Sequence, residues 1–362
     1  MATLASASAV ASRPPKRSFL EVLGSIWAWL FLALLIITFS FTGGKAFFSL
    51  ANFQNILANM SILTIIAIGQ TYVIISGGID LSAGWIMGMV SVVSAIVMNY
   101  FAPGTPMIVI VLAGAAVGLV AAWGAGLVNG LLVARLNVPP FIATLGMFGI
   151  ARGVGFLLSG GLPVPVRVRG IGELGNGYVA QYLPEKGYIF FERFTGLETA
   201  QMRAVVNILP YVLIVMVITL LIMHLVLSRS RFGLHTYAIG GNKEAALRAG
   251  IPVARTTIFI YMVSATMAAL AGLVYNVRFT NGAANSGESM VLDTVAAVVI
   301  GGASLFGGSG TVIGTFIGAL IIAVLNNGLV ITRVDPYWQF ISVGVVIIVA
   351  VLIDQAREKL AR

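Results

Sequence analysis

Residues 56–100 read ILANMSILTIIAIGQTYVIISGGIDLSAGWIMGMVSVVSAIVMNY, two long apolar runs separated by a glycine pair, an acid and a serine. Each run approaches the roughly 20 residues that a helix needs to cross the hydrocarbon core of a bilayer. The interruption at 75–84, ISGGIDLSAG, places the charged residue Asp80 where the flanking pattern predicts membrane. The stretch therefore predicts two transmembrane helices joined by a break, and the role of its carboxylate has to be explained.

The composition of the whole chain indicates the same class. The chain has 362 residues, of which 59% are hydrophobic and 9% are charged, and its mean hydropathy is +1.01. About a quarter of the residues of a soluble domain are charged, so a soluble fold of this length would lack charges for its exterior. The runs do not alternate as the strands of a transmembrane β-barrel do. We therefore predict an all-α polytopic membrane protein.

Hydropathy predicts about ten transmembrane helices, some of them broken at glycines. They span 19–39, 56–76, 82–100, 107–133, 140–160, 207–227, 256–276, 291–307, 311–330 and 337–353. The transmembrane domain 19–353 is then flanked by an N-terminal tail, 1–18, and a C-terminal tail, 354–362. The long loop 161–206 is either a small lid or docking surface or an irregular connection with aromatic residues at the interface.

Lysine and arginine predict the orientation, because they accumulate in cytoplasmic segments. With the N-terminus inside, the inside segments hold 12 of these residues, and the outside segments hold 8 although they are longer in total, at about 88 positions. We therefore expect both termini and loop 228–255 to be cytosolic and loop 161–206 to be periplasmic. The net charge of +9 comes from scattered residues, without the basic and aromatic stripe of a nucleic-acid surface.

Two pairs of similar segments are compatible with an inverted repeat, a common plan among transporters. ISGGIDLSAG at 75–84 resembles VIGGASLFGGSG at 299–310, and NGLLVARLNVPPF at 129–141 resembles NGLVITRVDPYW at 327–338. Chance similarity is the alternative, since glycine, leucine and valine are abundant and the intervals between the paired segments differ by a whole helix. Both interpretations stay open at this point.

The most basic of the predicted inside loops is 228–255, SRSRFGLHTYAIGGNKEAALRAGIPVAR. Within it, residues 242–250, NKEAALRAG, predict a short helix. Asn242 is a favourable N-cap residue and Gly250 is typical of a left-handed helix end. Glu244 suits the positive end of the helix dipole.

A two-turn helix is marginal in water by itself, and this one has no long apolar face for lipid. Ala245, Ala246 and Ala249 form a small-residue face that a partner could approach closely. The segment is therefore either a docking helix or an ordinary capped loop helix, and the physics of the sequence leaves both open.

Here the sequence resembles a known family. EAALRAG, at 244–250, resembles the Glu-Ala-Ala-x-x-x-Gly signature of the permeases of ATP-binding-cassette importers. Five segments, in order over roughly residues 50–355, resemble the ribose, xylose and galactose branch of these binding-protein-dependent inner-membrane components. They are GGIDLSAG, FIATLGMFGIARG, AIGGNKEAALRAGI, LDTVAAVVIGGASLFGGSGTVIGTFIGA and LNNGL.

The resemblance implies a function and a set of partners. Two permease copies would pair, two cytosolic ATPase subunits would drive alternating access, and a periplasmic binding protein would deliver a pentose, a hexose or a related polyol. The residues that would insert into a groove of the ATPase are Asn242, Glu244, Ala245, Ala246 and Gly250. The form of loop 161–206 is less typical of this family and leaves the docking surface open.

The motifs agree with ATP being bound by partner subunits and not by this chain. The chain has no Gly-x-x-x-x-Gly-Lys-Ser/Thr loop to hold phosphates, so we predict that it is not an enzyme, needs no cofactor and relies on ATP bound by partner subunits. His224 and His235 are eleven residues apart and the chain has no cysteine, which gives no typical ligand spacing for a metal site.

Three charges lie inside predicted spans or breaks, where they are costly and indicate function by default. They are Asp80, Arg152 and Asp293. They could bind sugar hydroxyls, couple protons or ions, or be structural, with Asp80 paired to Arg152 or capping a helix. We favour the structural role for Asp80, because Asp80 and Ser82 are both good N-cap types for the helix that follows the glycine pair.

Other polar residues are candidates to line a translocation path, although asparagine pairs also hold transmembrane helices together. The candidates are Asn59, Gln70, Thr71, Ser76, Gly77, Gly78, Asp80, Ser82, Asn129, Ser304, Asn326 and Asn327, with Tyr72 and Trp85 as aromatic faces for a sugar. Two alternative functions remain at this point. One is an ion-coupled secondary transporter that uses Asp80 and Asp293, and the other is a permease of the same plan for another small metabolite, such as a branched amino acid.

Overall fold

A computed structural model describes residues 19–335 and 337–361, so the predicted tail 1–18 lies outside the described residues. The described helices are α1 (Phe19–Phe47), α2 (Leu50–Ile75), α3 (Ala83–Asn99), α4 (Met107–Ala134), α5 (Pro140–Ser159), α6 (Ile171–Asn176), α7 (Thr199–Ala204), α8 (Tyr211–Arg229), α9 (Arg231–Gly241), α10 (Lys243–Arg248), α11 (Val253–Phe279), α12 (Met290–Ile300), α13 (Val312–Ile331) and α14 (Tyr337–Ala361). The described strands are β1 (Val164–Pro165), β2 (Tyr178–Leu183), β3 (Gly187–Phe190), β4 (Val206–Pro210) and β5 (Asn281–Gly282).

The predicted class of a polytopic helical membrane protein is confirmed. Seven helices are long and apolar enough to cross a membrane, namely α1, α2, α4, α5, α8, α11 and α13. Three shorter apolar helices, α3, α12 and the first part of α14, occupy the other three predicted spans. Helices of ordinary membrane length and shorter broken ones therefore share one bundle.

The ends of two predicted spans are wrong, for local reasons. The eighth, 291–307, runs too far, because α12 ends at Ile300 and the glycine-rich segment that follows forms turns. The sixth, 207–227, begins too early, because residues 206–210 form strand β4. Hydropathy did not separate these segments from the helices, since the residues on both sides are apolar.

Loop 161–206 is folded rather than irregular. Strand β2 lies between β3 and β4, and both pairings are antiparallel. The prediction of an all-α chain therefore missed a small sheet. We call the end of the bundle that carries it the sheet end. Helix α8, 19 residues and thus about 28 Å long, leads from this sheet to α9 and α10, at what we call the α10 end.

Helix α2 lies at the centre of the bundle. Residues of α2 are buried along almost its whole length from Ile56 onward, and the helix packs against α8, α11, α12 and α13. Its exposed residues concentrate near the N-terminus, where the Gln54 side chain donates to the carbonyl of Asn207 in β4. The helical residues on either side of the break that follows α2, Ile75 and Ala83, are both buried in protein.

The chain between β5 and α12 crosses part of the bundle without a helix. Residues 281–289 run along α3, where Gly84 and Gly88 present no side chain to them. A Cβ added at Gly88 would collide with the carbonyl oxygen of Ala284, and one at Gly84 with that of Gly287. Because the two glycines are one turn apart, they form a groove on α3 that admits a backbone.

Ser91, almost one turn beyond Gly88, forms hydrogen bonds with the backbone of this non-helical segment inside the bundle. Its Oγ accepts a hydrogen bond from the N–H of Ala283 at 3.0 Å and lies 3.1 Å from the Ala283 carbonyl oxygen. The Asn276 side chain donates to the Ser91 carbonyl at 2.9 Å. Such partners are required, because unpaired backbone groups are expensive where no water is available.

The two glycine-pair breaks end their helices in the same way. Gly77 and Gly302 have φ angles of 84° and 89°, in the left-handed region that glycine adopts without strain. Their N–H groups donate to Ile74 and Val299, three residues earlier in each helix. Both α2 and α12 run toward the α10 end, so the two breaks have the same direction and do not themselves support an inverted repeat.

We expect substitution of Gly88 by valine to destabilise the fold by about 1–3 kcal/mol, the usual cost of overpacking, because the new side chain displaces residues 281–289 from α3. Gly124→Val is the matched control, since a Cβ on this other transmembrane helix has no neighbour within 4 Å. Thermal unfolding of the purified variants in detergent measures the difference. Equal midpoints for the two variants would contradict the groove.

Candidate coupling and transport site

Asp80 is the centre of a buried hydrogen-bond network in the break between α2 and α3. It is 2% exposed. Its Oδ1 accepts from the Ser82 N–H at 2.9 Å and from the Ser82 hydroxyl at 2.6 Å. Its Oδ2 accepts from the Ser264 hydroxyl at 2.7 Å. Ser264 lies 11 residues into α11, about 16 Å along that helix, so the network is deep in the bundle.

Neighbouring side chains hold the backbone of this break. In the amide orientation that satisfies both groups, the Gln70 side chain donates to the Asp80 carbonyl at 3.1 Å and accepts from the Asp80 N–H at 3.2 Å. The Thr144 hydroxyl of α5 donates to the Ile79 carbonyl at 3.1 Å. Helices α2, α5 and α11 thereby each contribute a side chain that fixes residues 79–82.

The two expected caps of α3 differ. Asp80 accepts from the N–H of Ser82 beside the start of α3, as a structural role requires. Ser82 occupies the N-cap position but makes no side-chain capping bond; its Oγ instead donates to Asp80 and accepts from Asn129 at 3.0 Å. The expected cap by Ser82 is therefore wrong, because the nearby carboxylate is the better acceptor for its hydroxyl.

Arg152 does not pair with Asp80. Its guanidinium lies 4.9 Å from the ring centroid of Trp85. The one ion pair among the described residues joins Glu244 to Arg248. The proposed pairing of Asp80 with Arg152 is therefore contradicted, and a cation–π contact holds the arginine instead.

Both aromatic candidates for a sugar face are in the packed interior. Trp85 is 1% exposed and packs against Phe148 and Phe156. Tyr72 is fully buried, and its hydroxyl donates to the Met223 carbonyl at 2.6 Å. Neither ring lines any of the cavities described below, so the structure does not bring them together with the other path candidates.

Several polar candidates for the path are also committed to helix packing. Gln70, Thr71, Asp80, Ser82 and Asn129 are at most 2% exposed. Thr71 lies 2.6 Å from the hydroxyl of Thr315 on α13. These five residues are packed among helices of the bundle and line none of the cavities described below.

Helix α10 has the local structure that its sequence predicts. Asn242 accepts from the Ala245 N–H at 2.9 Å, and Gly250 has a φ of 80°. The prediction of a continuous alanine face is wrong in one respect: Ala246 is buried against Ile239 and Val253. One buried methyl group thus seats the helix, while Ala245 and Glu244 remain exposed.

Helix α9 connects α10 to both glycine breaks. Gly240 lies so close to the end of α2 that an added Cβ would collide with the Ile75 carbonyl oxygen. The N–H of Gly308, in the second break, donates to that same oxygen at 2.8 Å. A Cβ added at Gly307 would lie 3.1 Å from Gly77. We call this contact of Ile75, Gly77, Gly240, Gly307 and Gly308 the glycine junction.

Tyr237, one turn before Gly240, strengthens the glycine junction. Its hydroxyl donates to the Gly310 carbonyl at 2.7 Å. Burial raises the pKa of Tyr237, because a low-dielectric surrounding disfavours the phenolate. The residue therefore remains a neutral donor at physiological pH and links α9 to the second break.

A cavity of about 290 Å³ opens at the α10 end. Ser76, Gly77 and Gly78 line it from the first break, and Lys243 lines it from α10. Pro139 and Pro140, at the start of α5, form another wall. Ser304 lies in the second break and is not among its lining residues; its hydroxyl accepts from the Phe306 N–H at 3.3 Å.

Another cavity, of about 310 Å³, lies in the half of the bundle nearer the sheet end, between α2, α12, α13 and α14. We call it the α12 cavity. Its polar lining residues are Asn59, Ser289, Asp293, Asn326, Asn327 and Gln339. Four of these were singled out from the sequence, in three separate spans, and the structure brings them together.

Sequence reasoning missed residues that complete these sites. Ser264, Ser289 and Gln339 carry ordinary polar side chains in apolar helices or at their ends, and no spacing distinguished them. Gly240 stands in another glycine pair, visible in the sequence as AIGGN at 238–242. That signal could have been recognised, although its partners lie about 165 and 68 residues away along the chain.

For Asp80 we expect the asparagine variant to fold and to retain activity, because its side-chain oxygen still accepts from the Ser82 N–H and Ser264 can rotate to accept from the amide. Asp80→Leu leaves the donors of Ser82 and Ser264 unpaired and should cost several kcal/mol, at about 1–3 kcal/mol for each buried group. Thermal unfolding and transport assays measure both variants. A well-folded but inactive Asp80→Asn variant would show that the charge itself is required.

Comparison with known proteins gives a consistent assignment. The family model described as "Branched-chain amino acid transport system / permease component" matches residues 52–351. The chain is 36% identical over 337 residues to the ribose import permease protein of Bacillus subtilis, covering 93% of this chain and 94% of that protein.

Two further relatives are similar over most of their length. The chain is 36% identical over 332 residues to the fructose import permease protein of Rhizobium meliloti, covering 91% of this chain and 85% of that protein. It is 34% identical over 363 residues to the xylose transport system permease protein of Haemophilus influenzae, covering 91% of this chain and 95% of that protein. No solved structure matches the chain significantly. The chain therefore belongs to this family of transport-system permease components, and these relatives are sugar permeases.

Proposed function

We propose that the protein is the transmembrane subunit of an ATP-binding-cassette importer that carries a monosaccharide across the bacterial inner membrane by alternating access. Its relatives are named for ribose, fructose, galactose and xylose, so the substrate is a pentose, a hexose or a related polyol. Cytosolic ATPase subunits supply the energy, and a periplasmic binding protein delivers the sugar. A second permease copy, identical or related, completes the transporter.

The observation that carries this proposal is the construction of α10. The helix is capped at both ends and exposed except for Ala246. Leu247 projects from it with 65% of its surface exposed. Lys243, Glu244 and Arg248 surround this exposed leucine, and an apolar residue with a polar rim is typical of a protein interface. We therefore assign α10 to contact with the ATPase, which makes the α10 end and both termini cytosolic.

Alternating access is supported by two cavities that lie toward opposite ends of the bundle. The α12 cavity lies toward the sheet end, and the cavity lined by Gly77 and Gly78 opens beside α10. The residues of the Asp80 network are buried and line neither cavity. In this arrangement a movement of α9 acts directly on both glycine breaks, because the glycine junction joins α9 to them.

An ion-coupled secondary transporter is the less favoured function. Both oxygens of Asp80 already accept hydrogen bonds from Ser82 and Ser264, which leaves little capacity for a transported ion. No group of three His, Cys, Asp or Glu residues that could hold a metal ion occurs in the described part of the chain. The capped helix α10 also has no role in an ion-coupled mechanism.

We expect Leu247→Asp to reduce sugar import at least tenfold in proteoliposomes that contain the permease with its ATPase and binding protein. A buried charge in the groove of the ATPase would oppose docking, while the fold of the permease itself stays intact because Leu247 is exposed. Uptake of labelled sugar and stimulation of ATP hydrolysis by the loaded binding protein should both fall.

Leu136→Asp is the matched control, because Leu136 is 68% exposed and follows α4 at the same end of the bundle. It should import sugar at the wild-type rate. Normal import and normal ATPase stimulation by the Leu247→Asp variant would show that α10 is not the docking helix.

The glycine junction generates a separate prediction. Gly240→Ala should leave the ATPase subunits bound but lower the number of sugars imported per ATP hydrolysed, because the new methyl group pushes α9 from Ile75. Gly241→Ala is the neighbouring control, since a Cβ there meets nothing within 4 Å. Import and hydrolysis measured in the same proteoliposomes give the ratio. Equal ratios for the two variants would refute a coupling role for the junction.

A further inference from the structure

A cavity of about 630 Å³ lies at the sheet end, between the turn that joins α3 to α4 and the segment 167–169. Its charged lining residues are Arg167 and Arg169, and none of its described lining residues is acidic. Its apolar wall includes Met98, Met107 and Ile110. We call it the arginine cavity. Two cations beside an apolar wall suit an amphipathic anion.

The protein itself does not neutralise the two arginines. Both side chains are exposed, and the one ion pair among the described residues joins Glu244 to Arg248. A guanidinium stays charged at physiological pH and binds phosphate oxygens through paired N–H groups. Two of them beside one cavity therefore favour a ligand that carries a phosphate group.

Hydrogen bonds hold the backbone of the arginine segment against its neighbours. The Asn99 side chain, at the end of α3, donates to the Pro165 carbonyl at 2.8 Å and accepts from the Arg167 N–H at 2.8 Å. The N–H of Val166, which is buried, donates to the Thr280 carbonyl at 2.9 Å. The backbone that carries both arginines is thus fixed before any ligand binds, which lowers the entropy cost of binding.

The length of α4 indicates the level of the cavity in the membrane. The helix has 28 residues and is thus about 42 Å long, which matches the roughly 40–45 Å of a bilayer with its headgroup regions. Its first residue, Met107, therefore lies among headgroups. Tyr100, in the preceding turn, is 86% exposed, and tyrosine is enriched at this level of membrane proteins.

The exposed side of α4 continues from the cavity toward the membrane core. Ile108 and Leu112 are exposed and lie one turn apart on one face of the helix. Met107 and Ile110, on the same turns, line the cavity. An acyl chain packed on this face brings its phosphate to the level of the arginines. A free anion, or an acidic side chain of a partner protein, makes no use of the apolar face.

The charge of the lining also separates two classes of phospholipid. Phosphatidylethanolamine carries an ammonium group beside its phosphate, and two guanidinium groups repel it. None of the described lining residues offers this ammonium a carboxylate. Phosphatidylglycerol carries hydroxyl groups in place of the ammonium and has a net negative charge, so an anionic lipid fits the cavity better.

We propose that the arginine cavity binds the headgroup phosphate of an anionic phospholipid from the adjoining leaflet. Arg167 and Arg169 hold the phosphate, and an acyl chain lies along Ile108 and Leu112. Asn99 is a positioning residue, because it holds the arginine segment to α3. The lipid ties the start of α4 to the chain that leads into the small sheet. This inference is independent of the transported substrate.

The first test is lipid titration of the purified permease in detergent. Native mass spectrometry measures the lipid that stays bound, and thermal unfolding measures the stabilisation that it causes. We expect an apparent affinity for phosphatidylglycerol about tenfold higher than for phosphatidylethanolamine, the equivalent of one charge-assisted hydrogen bond. Inorganic phosphate and glycerol phosphate at the same concentrations should leave the unfolding midpoint unchanged, since neither has an acyl chain.

The second test uses variants of the cavity. The double variant Arg167→Gln/Arg169→Gln should bind phosphatidylglycerol at least about tenfold more weakly. Lys186→Gln/Arg193→Gln is the matched control, because it removes the same charge from exposed residues of the same loop outside the lining. Ala102→Trp obstructs the cavity, keeps both arginines and should also weaken binding. Unfolding without added lipid confirms that each variant is folded.

Three outcomes would overturn the site. The first is equal affinity for the two lipids, or equal loss of affinity in the two double variants. The second is a shift of the unfolding midpoint by inorganic phosphate or glycerol phosphate as large as that by phosphatidylglycerol, which would make the cavity a site for free anions. The third is unchanged lipid binding by the Arg167→Gln/Arg169→Gln variant together with lost stimulation of ATP hydrolysis by the binding protein, which would assign the cavity to a protein partner.

Discussion

The Asp80 carboxylate holds together the part of the bundle on which the other features depend. It accepts hydrogen bonds from Ser82 and Ser264. The Gln70 side chain pairs with the backbone N–H and carbonyl of Asp80. A helix that stops at membrane depth leaves backbone groups that lipid cannot satisfy. The network supplies those partners within protein, so that α3 can begin deep in the bundle.

Glycine determines how the helix ends are brought into contact. At the glycine junction the backbone of Gly240 reaches the carbonyl of Ile75, which also accepts from Gly308. Side chains would hold these segments apart by the width of a methyl group or more. Direct backbone contact leaves no compressible layer of side chains between them. A displacement of α9 must therefore move the ends of both breaks or separate from them.

The family relationship and the cavity chemistry answer different parts of the substrate question. The family model is described for branched-chain amino acid transport, whereas the relatives similar over most of the chain are named for sugars. Membership of the family therefore does not by itself discriminate between the two classes of substrate. The cavity beside α12 combines the amide groups of Asn326 and Asn327 with the carboxyl group of Asp293, and this lining is a property of the site rather than of the family.

The sequence by itself determined the membrane class, the ten apolar segments and the caps of α10, because those features depend on the length of a run or on contacts within a few residues. It placed Asp80 in a structural role but assigned Ser82 a cap that it does not make, and it treated Tyr72 and Trp85 as surfaces for a sugar. Only the tertiary structure decided which polar residues share a cavity, that residues 281–289 cross without a helix, and that three glycine pairs meet. The physical reason is that these arrangements depend on close packing between segments far apart in the chain, and hydropathy and capping rules carry no information about which distant backbones approach each other.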